Sequence, residues 1–297
     1  MNSDSRITYW LKGHAIQNFG DMLSEKLFDG LKRRSLVNWM QGRMIGDYDV
    51  VHLIGSCISN YHIAKDLEYV RGAGGKRIAF WGCGLRSNEP LRPDLMAHCM
   101  FLGVRGPLTR DVLGLPKNVA LGDPGLLMPS VYTPTLCEAF ADKTICVPHF
   151  LEIKSDDDLL AMSRCQMILR PNLSSSQESI PRFIDALVSA RFILAGALHA
   201  AIVACAYGRP FAYFDSGYID VPFKWADFAA SIAMPCRFVK TVEEGAYVFQ
   251  RQSDGCRMPP LADLLACAPF RPSKLLLRRV AAMNSGSGTS AITSAIS

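Results

Sequence analysis

The feature that most constrains this chain is a repeated alternation of short apolar runs with longer helix-like segments. The apolar runs include YDVVHLIGS, KRIAFWGCG, MFLGVRG and NVALGDPG in the first half, and KTICVPHF, RFILAG and PFAYFD in the second. Strands that are apolar at nearly every position are typical of parallel sheets that helices cover on both faces. The sequence therefore predicts the α/β class, with one doubly wound sheet in each half.

The domain boundaries are predicted from a stretch that interrupts this alternation, LLMPSVYTPTLCEAF, which contains two prolines and no regular period. We predict an N-terminal Rossmann-like domain over residues 1–135 and a C-terminal one over residues 136–255. A helical segment over residues 256–283 then packs back, and the Gly/Ser/Thr-rich tail over residues 284–297 is predicted to be disordered. Two such sheets place a ligand cleft at the carboxyl ends of their strands.

An uncharged run of seventeen residues, 192–208, lies between Arg191 and Arg209. It is shorter than the roughly 20 apolar residues that span a bilayer, and a histidine interrupts it. Its first half, with aromatic and β-branched residues before a glycine, predicts a strand, and its Ala-rich second half predicts a helix that ends at Gly208. His199 then lies at the start of a helix, where free backbone N–H groups attract anions.

Composition excludes several classes of protein. With 49% hydrophobic and 20% charged residues among 297, the chain has the composition of a folded protein. Ten cysteines occur without a C-x-x-C pair, which predicts buried thiols in a reducing compartment. No secretory-signal pattern opens the sequence, so we predict a cytoplasmic location. The net charge of +5 comes without a nucleic-acid motif, and no nucleic-acid partner is predicted.

The stretch RPSKLLLRRVAAM, residues 271–283, carries part of the positive charge. It has two interpretations. As a helix it presents a solvated basic face, which we favour, or it rests on an anionic membrane surface. The second interpretation predicts at most peripheral contact with the inner face of the cell membrane.

Turns that follow the first strands contain small and polar residues. In QNFGD, Gly20 permits a backbone conformation closed to other residues, while Asn18 and Asp21 are natural caps for the following helix. In IGSC, Gly55 and Ser56 lie where a backbone N–H can approach an anion. WGCG lacks the full G-x-G-x-x-G pattern, so a dinucleotide site is not predicted.

Charged and titratable residues follow later strands. Arg105 ends an apolar strand, where a guanidinium needs an anionic partner: either a bound carboxylate or phosphate, or Asp123 of LGDPG. His149 and His199 are predicted at the same end of the second sheet, and imidazoles exchange protons near neutral pH. No Cys/His/Asp cluster has metal-site spacing, so no metal is predicted.

The ordered series NFGD, WGCG, VRGPLTRDVL, GDPGLL, VPHF, LHAAIVACAYGRP and FKWADF resembles the polysaccharide pyruvyl transferase family over about residues 13–230. The resemblance implies two Rossmann-like domains that face a central cleft, as in glycosyltransferase-B folds. It implies phosphoenolpyruvate as donor substrate, no cofactor, and transfer of pyruvate as a cyclic ketal to two hydroxyls of a sugar. The implied acceptor is a polysaccharide or its lipid-linked oligosaccharide precursor, and phosphate is released.

The resemblance also implies positions for the site. Arg105 matches the arginine expected to hold the anionic groups of the donor, and Leu198 and His199 match the Leu-His pair. Many members have a polar or basic residue before that pair, where this chain has Ala197. Either Arg209, Lys224 or another group supplies the missing contact, or donor binding differs in detail. The other cleft positions that the resemblance implies are Asn18, Gly20, Asp21 and His149, and Lys224 and Asp227 of FKWAD are further candidates.

Ketal formation needs a proton on the methylene carbon of the donor and a base for the attacking hydroxyl. We predict His199 as the general acid, with His149 or Asp21 as the base. Arg105 and the helix N-terminus then hold the carboxylate and phosphate.

Two other functions are compatible with the same pattern, because fold does not fix function. One is a nucleotide-sugar-dependent glycosyltransferase of the same two-domain fold. The other is a non-catalytic homologue that recognises an anionic glycan, against which the presence of Arg105 and two histidines argues.

Overall fold

The computed structural model describes residues 6–8, 15–34, 48–71, 74–174, 176 and 178–286. The strands are β1 Arg6–Thr8, β2 Ile16–Asn18, β3 Val50–His52, β4 Ile78–Cys83, β5 Cys99–Val104, β6 Ala120–Leu121, β7 Thr144–Val147, β8 Met167–Ile168, β9 Asn172–Ser174, β10 Phe192–Ala195, β11 Phe211–Phe214 and β12 Phe238–Val239. The α-helices are α1 Phe19–Arg34, α2 Asn60–Asp66, α3 Pro93–Met96, α4 Pro107–Val112, α5 Asp156–Ser163, α6 Ser179–Ser189, α7 Leu198–Ala206, α8 Pro222–Ser231, α9 Val242–Gln252, α10 Leu261–Ala266 and α11 Lys274–Gly286. Short 3-10 helices cover Leu67–Tyr69, Pro124–Ser130 and Ser253–Gly255.

The strands form two five-stranded sheets, in the orders β1-β3-β4-β5-β6 and β12-β11-β10-β7-β8. All neighbours in both sheets are parallel. Every residue of β4, β7, β10 and β11 is buried, as expected for strands with helices on both faces. The α/β class with parallel sheets is confirmed and is consistent with a Rossmann-like layout. The glycosyltransferase-B-like pairing and the boundaries at 135 and 255 stay predictions.

The strand order of the second sheet reverses between β7 and β10, which is where open α/β sheets bind ligands. Val147 lies opposite Ala195 in the register, so both strands end at the same edge. The chain leads from there to His149 on one side and to His199 on the other. Gly196 donates its N–H to the Val147 carbonyl at 2.7 Å, and a Cβ at Gly196 would press on the backbone of both Val147 and His149.

Helix α1 connects the two halves. Its residues Phe19, Leu23, Leu27 and Leu31 recur every four positions, and each is at most 1% exposed. This face packs on the 3-10 helix Pro124–Ser130 and on α6 and α7 of the second half. Burying each such side chain contributes about 1.5–3 kcal/mol. The sequence analysis did not predict that this face packs against the other half.

A two-stranded antiparallel sheet of β2 and β9 fixes the start of α1. Asn18 pairs with Asn172, and the Phe19 N–H donates to the Pro171 carbonyl at 2.9 Å. The ring of Phe19 lies 4.1 Å from that of Phe183, centroid to centroid. Residues 18–21 are thereby held at the junction of the two halves.

The C-terminal segment packs back on the first sheet. The Trp81 indole N–H of β4 donates to the Leu264 carbonyl of α10 at 2.8 Å. The Ser273 hydroxyl donates to the Arg34 carbonyl at the end of α1 at 2.9 Å. Helix α11 continues to Gly286, so the first residues of the predicted tail 284–297 are helical, and the rest of that tail lies outside the described residues.

Candidate active site

Arg105 is fully buried directly after β5. Its Nε donates to Asp123 Oδ2 at 3.2 Å, and its Nη1 donates to the Ser56 hydroxyl at 3.0 Å. Its Nη2 is buried without a hydrogen-bond partner among the described residues. Leaving a charged donor buried and unsatisfied is costly, which makes Nη2 a strong candidate for contact with an anion. Both partners considered for Arg105 are therefore compatible, because Asp123 occupies only one side of the guanidinium.

Asp123 couples this arginine to a histidine. Its Oδ1 accepts from the Gly125 N–H at 2.9 Å and so caps the 3-10 helix. Its Oδ2 faces Arg105 Nε and lies 3.8 Å from His199 Nε2, beyond hydrogen-bond distance. One carboxylate thus balances the arginine and leaves the imidazole without a direct partner.

His199 occupies the second position of α7, as predicted. Its Nε2 is buried without a hydrogen-bond partner among the described residues. Burial lowers the pKa of His199 to about 4; Asp123 opposes this shift, while the cations of Arg105 and Lys224 add to it. The imidazole is therefore neutral near pH 7.

Gly20 packs directly against His199. The explanation from sequence was wrong: Gly20 lies in the first turn of α1, not among the positive-φ glycines. Glycine is needed there because a Cβ would overlap the His199 ring. The residue serves close approach between α1 and α7.

Asp21 follows in the same turn. Asn18 is the residue that caps α1, since its Oδ1 accepts from the Gly20 N–H at 3.3 Å, while Asp21 hydrogen-bonds Asn18. Burial raises the pKa of Asp21 to about 7, against the lowering effects of Asn18 and Lys224. Its Oδ2 has no hydrogen-bond partner among the described residues. Asp21 is thus a carboxyl group that holds a proton near neutral pH.

Lys224 and His149 meet at Asp220, a residue that the sequence analysis missed. Lys224 Nζ pairs with Asp220 Oδ2, and His149 Nε2 lies 3.5 Å from the same oxygen. His149 Nδ1 accepts from the Leu151 N–H at 3.2 Å, so both ring nitrogens are engaged. Hydrogen bonding by His149 and the charge of Lys224 hold the pKa of Asp220 well below its usual range, although burial opposes them. The i,i+4 spacing of Asp220 and Lys224 was the signal available in the sequence.

Asp227 has a structural role in this arrangement. It is fully buried and accepts from the Thr109 N–H at 2.9 Å and from the Thr109 hydroxyl at 2.6 Å. Both oxygens thus join α8 to α4 of the other half. A Cβ at Gly84 would touch both Asp227 and the Arg105 guanidinium, so the two side chains lie close to each other, and the charge of Arg105 acts on Asp227. The binding role predicted for Asp227 stays a prediction.

The remaining residues predicted for the site lie in different parts of the structure. Ser56 contacts Arg105 through its hydroxyl, and Gly55, at φ +117°, accepts from the Gly84 N–H. Leu198 is 4% exposed and packs in the core. Arg209 follows α7 and donates to the Ala190 carbonyl before β10, at the opposite end of the sheet from His199. Arg209 therefore does not supply the contact missing at Ala197.

Five groups from both halves come together as a site, and they are Asp21, Arg105, Asp123, His199 and Lys224. Three of them carry buried polar atoms without partners among the described residues: Asp21 Oδ2, Arg105 Nη2 and His199 Nε2. A fixed cation, a neutral imidazole and a protonated carboxyl can bind an anion and move protons.

The described part of the chain contains neither a metal-binding cluster nor a membrane-spanning helix. No group of three or more His, Cys, Asp or Glu residues there is arranged to hold a metal ion. No helix there is both long and apolar enough to cross a membrane.

Comparison with known proteins places this chain in a family. No curated protein matches the chain. A functionally uncharacterized protein from Klebsiella pneumoniae subsp. pneumoniae NTUH-K2044 has a similar solved structure, with 12% identity, a TM-score of 0.44, and coverage of 80% of this chain and 94% of that chain. A family model described as polysaccharide pyruvyl transferase matches residues 3–218, a range that contains Asp21, Arg105 and His199. The resemblance seen in the sequence is confirmed: the chain belongs to the polysaccharide pyruvyl transferase family, a family of transferases that act on polysaccharide.

Proposed function

We propose that this protein transfers pyruvate from phosphoenolpyruvate, as a cyclic ketal, onto two hydroxyls of a sugar and releases phosphate. The acceptor sugar belongs to a polysaccharide or to its lipid-linked oligosaccharide precursor. The observation that carries the proposal is the convergence of three unpartnered buried atoms, Arg105 Nη2, His199 Nε2 and Asp21 Oδ2. They supply the charge and the proton carriers that an anionic enol donor requires.

Donor binding is assigned to Arg105, Lys224 and the start of α7. The free Nη2 of Arg105 suits a carboxylate or phosphate oxygen. Ala197 precedes a nine-residue helix and forms no side-chain cap, so no side chain competes with an anion for the first N–H groups. Lys224 acts electrostatically on both His199 and Asp21, which supports a role for its charge in binding the same ligand. The uncapped N-terminus of α7 gives the departure at Ala197 a function.

The pKa shifts favour proton roles different from those expected from sequence. Asp21, with its pKa raised to about 7, is the better general acid, and His199, with its pKa lowered to about 4, is the better base. His149 has no free ring nitrogen in its neutral form, so we assign it a positioning role toward Asp220.

The proposed reaction begins with proton transfer to the donor. Asp21 protonates the methylene carbon, C2 becomes electrophilic, and the first sugar hydroxyl forms a bond to C2 while His199 Nε2 takes its proton. The bond from C2 to the phosphate oxygen breaks, and phosphate leaves with the proton held by His199. The second hydroxyl closes the ring and returns its proton to Asp21. Arg105 stabilises the charge on the departing phosphate.

Titration calorimetry with phosphoenolpyruvate tests this proposal. We expect binding by the wild type and a loss of affinity on the order of 100-fold in Arg105→Gln, because a buried charge-assisted contact is removed. Arg92→Gln is the matched control, since Arg92 forms an exposed ion pair with Asp94. A nucleotide-diphosphate sugar is the control ligand. Binding of that sugar without binding of phosphoenolpyruvate would replace the proposal by the glycosyltransferase alternative.

A cytoplasmic location with peripheral membrane contact is proposed from α11. Leu275 is 74% exposed, and Leu276 and Val280 anchor the opposite face in the core. Around Leu275 lie four exposed cations, Arg271, Lys274, Arg278 and Arg279. We expect the protein to cosediment with vesicles that contain phosphatidylserine but not with neutral vesicles, and charge reversal at Lys274 and Arg278 to abolish this. Equal sedimentation with both kinds of vesicle contradicts it.

A further inference from the structure

A second buried histidine cluster lies behind Arg105 and takes no part in the steps above. His52 ends β3, and its Nε2 lies 2.7 Å from Asp66 Oδ2. Its ring stacks on Phe80, with centroids 4.8 Å apart. The Cys57 thiol hydrogen-bonds both His52 and Cys83. Two thiols, an imidazole and a carboxylate thus form one chain of contacts.

Backbone hydrogen bonds hold the segment that contains Cys57 beside the segment that contains Cys83. The Gly84 N–H donates to the Gly55 carbonyl at 3.0 Å, and the Ile58 N–H donates to the Gly84 carbonyl at 3.3 Å. Ile58 and Leu85 form a parallel bridge. Cys57 and Cys83 therefore lie on neighbouring segments of the chain, and the hydrogen bond between their thiols brings the two sulfur atoms together.

The charges around Cys57 favour a reactive thiolate. Burial alone would raise the pKa of the thiol, but hydrogen bonds with Cys83 and His52 and the charge of His52 hold it well below its usual range. At His52 burial acts in the opposite direction and would lower the pKa, but Cys57 and Asp66 raise the pKa of His52 to about 10. Cys57 keeps 8% exposure, whereas Cys83 is fully buried. Cys57 is thus the member of the pair that a small oxidant reaches first.

We propose that Cys57 and Cys83 form a redox modification site that responds to peroxides. The Cys57 thiolate attacks one peroxide oxygen, the O–O bond breaks, and a sulfenic acid and hydroxide result. The Cys83 thiol then attacks the Cys57 sulfur, a disulfide forms, and water leaves. The peroxide takes up two electrons, and the two thiols supply them.

Disulfide formation would change two hydrogen bonds of Arg105. Ser56, the neighbour of Cys57, accepts from Arg105 Nη1, and the Cys83 carbonyl accepts from the Arg105 N–H at 2.9 Å. Drawing Cys57 and Cys83 together shifts both contacts and therefore the guanidinium. We expect oxidation to weaken binding at this site. This consequence rests on the proposed function, whereas the thiol chemistry does not.

The test uses the reduced full-length protein, hydrogen peroxide and peptide mapping. After timed exposure, free thiols are blocked with iodoacetamide and the digest is examined by mass spectrometry. We expect a Cys57–Cys83 linked peptide that dithiothreitol removes, formed at least tenfold faster than oxidation of Cys236. Cys236 is the internal control because it is the exposed cysteine among the ten. Oxidation of Cys57 no faster than that of Cys236 overturns the proposal.

Two variants and one binding measurement complete the test. Cys57→Ser should leave Cys83 reduced, and His52→Gln should slow oxidation of Cys57 at least tenfold. Thermal melting of both variants establishes that they fold, and the mapping on wild type remains decisive if they do not. Affinity for phosphoenolpyruvate should fall at least tenfold on oxidation and recover with dithiothreitol. A linked peptide with unchanged affinity contradicts the regulatory consequence, whereas no binding by the reduced protein counts against the proposed function alone.

Discussion

His52 and His199 are both buried histidines near the carboxyl end of a parallel strand, and each lies close to a buried aspartate. His52 hydrogen-bonds Asp66 and the Cys57 thiol, and its pKa is raised to about 10. His199 lies 3.8 Å from Asp123, and its pKa is lowered to about 4. Burial lowers the pKa of both imidazoles. At His52 the Cys57 thiol and Asp66 outweigh burial, whereas at His199 Arg105 already balances the charge of Asp123. His52 is therefore charged and hydrogen-bonded to its partners, whereas His199 is neutral and its Nε2 has no partner among the described residues.

The largest effect is expected from replacing Arg105, whose charge acts on both Asp123 and His199. Arg105→Gln leaves Asp123 buried without its charge partner, which should lower the free energy of unfolding by about 3–5 kcal/mol. It should also raise the pKa of His199, because Asp123 then attracts the imidazolium unopposed. Urea unfolding and a histidine NMR titration measure the two effects. Arg92→Gln removes only an exposed ion pair and should leave the free energy of unfolding almost unchanged. Equal losses in both variants would show that burial does not set the contribution of the Arg105–Asp123 pair.

The next effect concerns the protonated carboxyl of Asp21. Because its folded pKa of about 7 exceeds its ordinary value, the wild type should lose stability relative to Asp21→Asn as pH rises from 4 to 7. A shift of this size corresponds to a relative loss on the order of 4 kcal/mol. Urea unfolding of both proteins at pH 4, 5.5, 7 and 8 measures it. A constant difference across this range would show that Asp21 is ionised throughout and cannot be the acid.

A smaller effect is expected from filling the contact between α1 and His199. Gly20→Ala should destabilise the fold by about 1–3 kcal/mol, since its Cβ overlaps the imidazole. Gly30→Ala is matched, because it lies in the same helix and its Cβ would press on Val131. Both variants should lose stability, but only Gly20→Ala should lose affinity for phosphoenolpyruvate by calorimetry. Equal losses of affinity would remove His199 from the binding site.

The smallest effect is expected at Lys224, whose charge is the weakest contributor that lowers the pKa of His199. Lys224→Met should raise that pKa, but by less than Arg105→Gln does. A histidine NMR titration of the two variants ranks the shifts. A larger shift in Lys224→Met would mean that Lys224, and not Arg105, sets the charge of His199.

The local parts of this account were predictable from sequence. Apolar runs predicted the parallel strands, and the change of composition after Gly196 predicted the helix start at His199. The arginine at the end of β5 predicted an anionic partner, and Asp123 was one of the two partners considered. These features depend on residues close in the chain or on strand ends that share one sheet edge. Periodicity and turn chemistry report them directly.

The long-range parts were not predictable. The role of Gly20 depends on its contact with His199, and the capping of Thr109 by Asp227 joins residues far apart in the chain. We propose reversed proton roles for Asp21 and His199 because burial, which no local pattern reports, shifts their pKa values in opposite directions. We propose a positioning role for His149 because the Leu151 N–H occupies its second nitrogen.

The most direct test of the central claim is a histidine NMR titration with phosphoenolpyruvate, using His199→Gln and His52→Gln to assign the signals. We predict that the His199 signal shifts with saturation and that the pKa of His199 rises as the anion binds, while the His52 signal stays in place. A nucleotide-diphosphate sugar should leave both signals unchanged. If phosphoenolpyruvate moves neither signal, or if the nucleotide sugar alone moves that of His199, the pyruvyl donor site proposed here is contradicted.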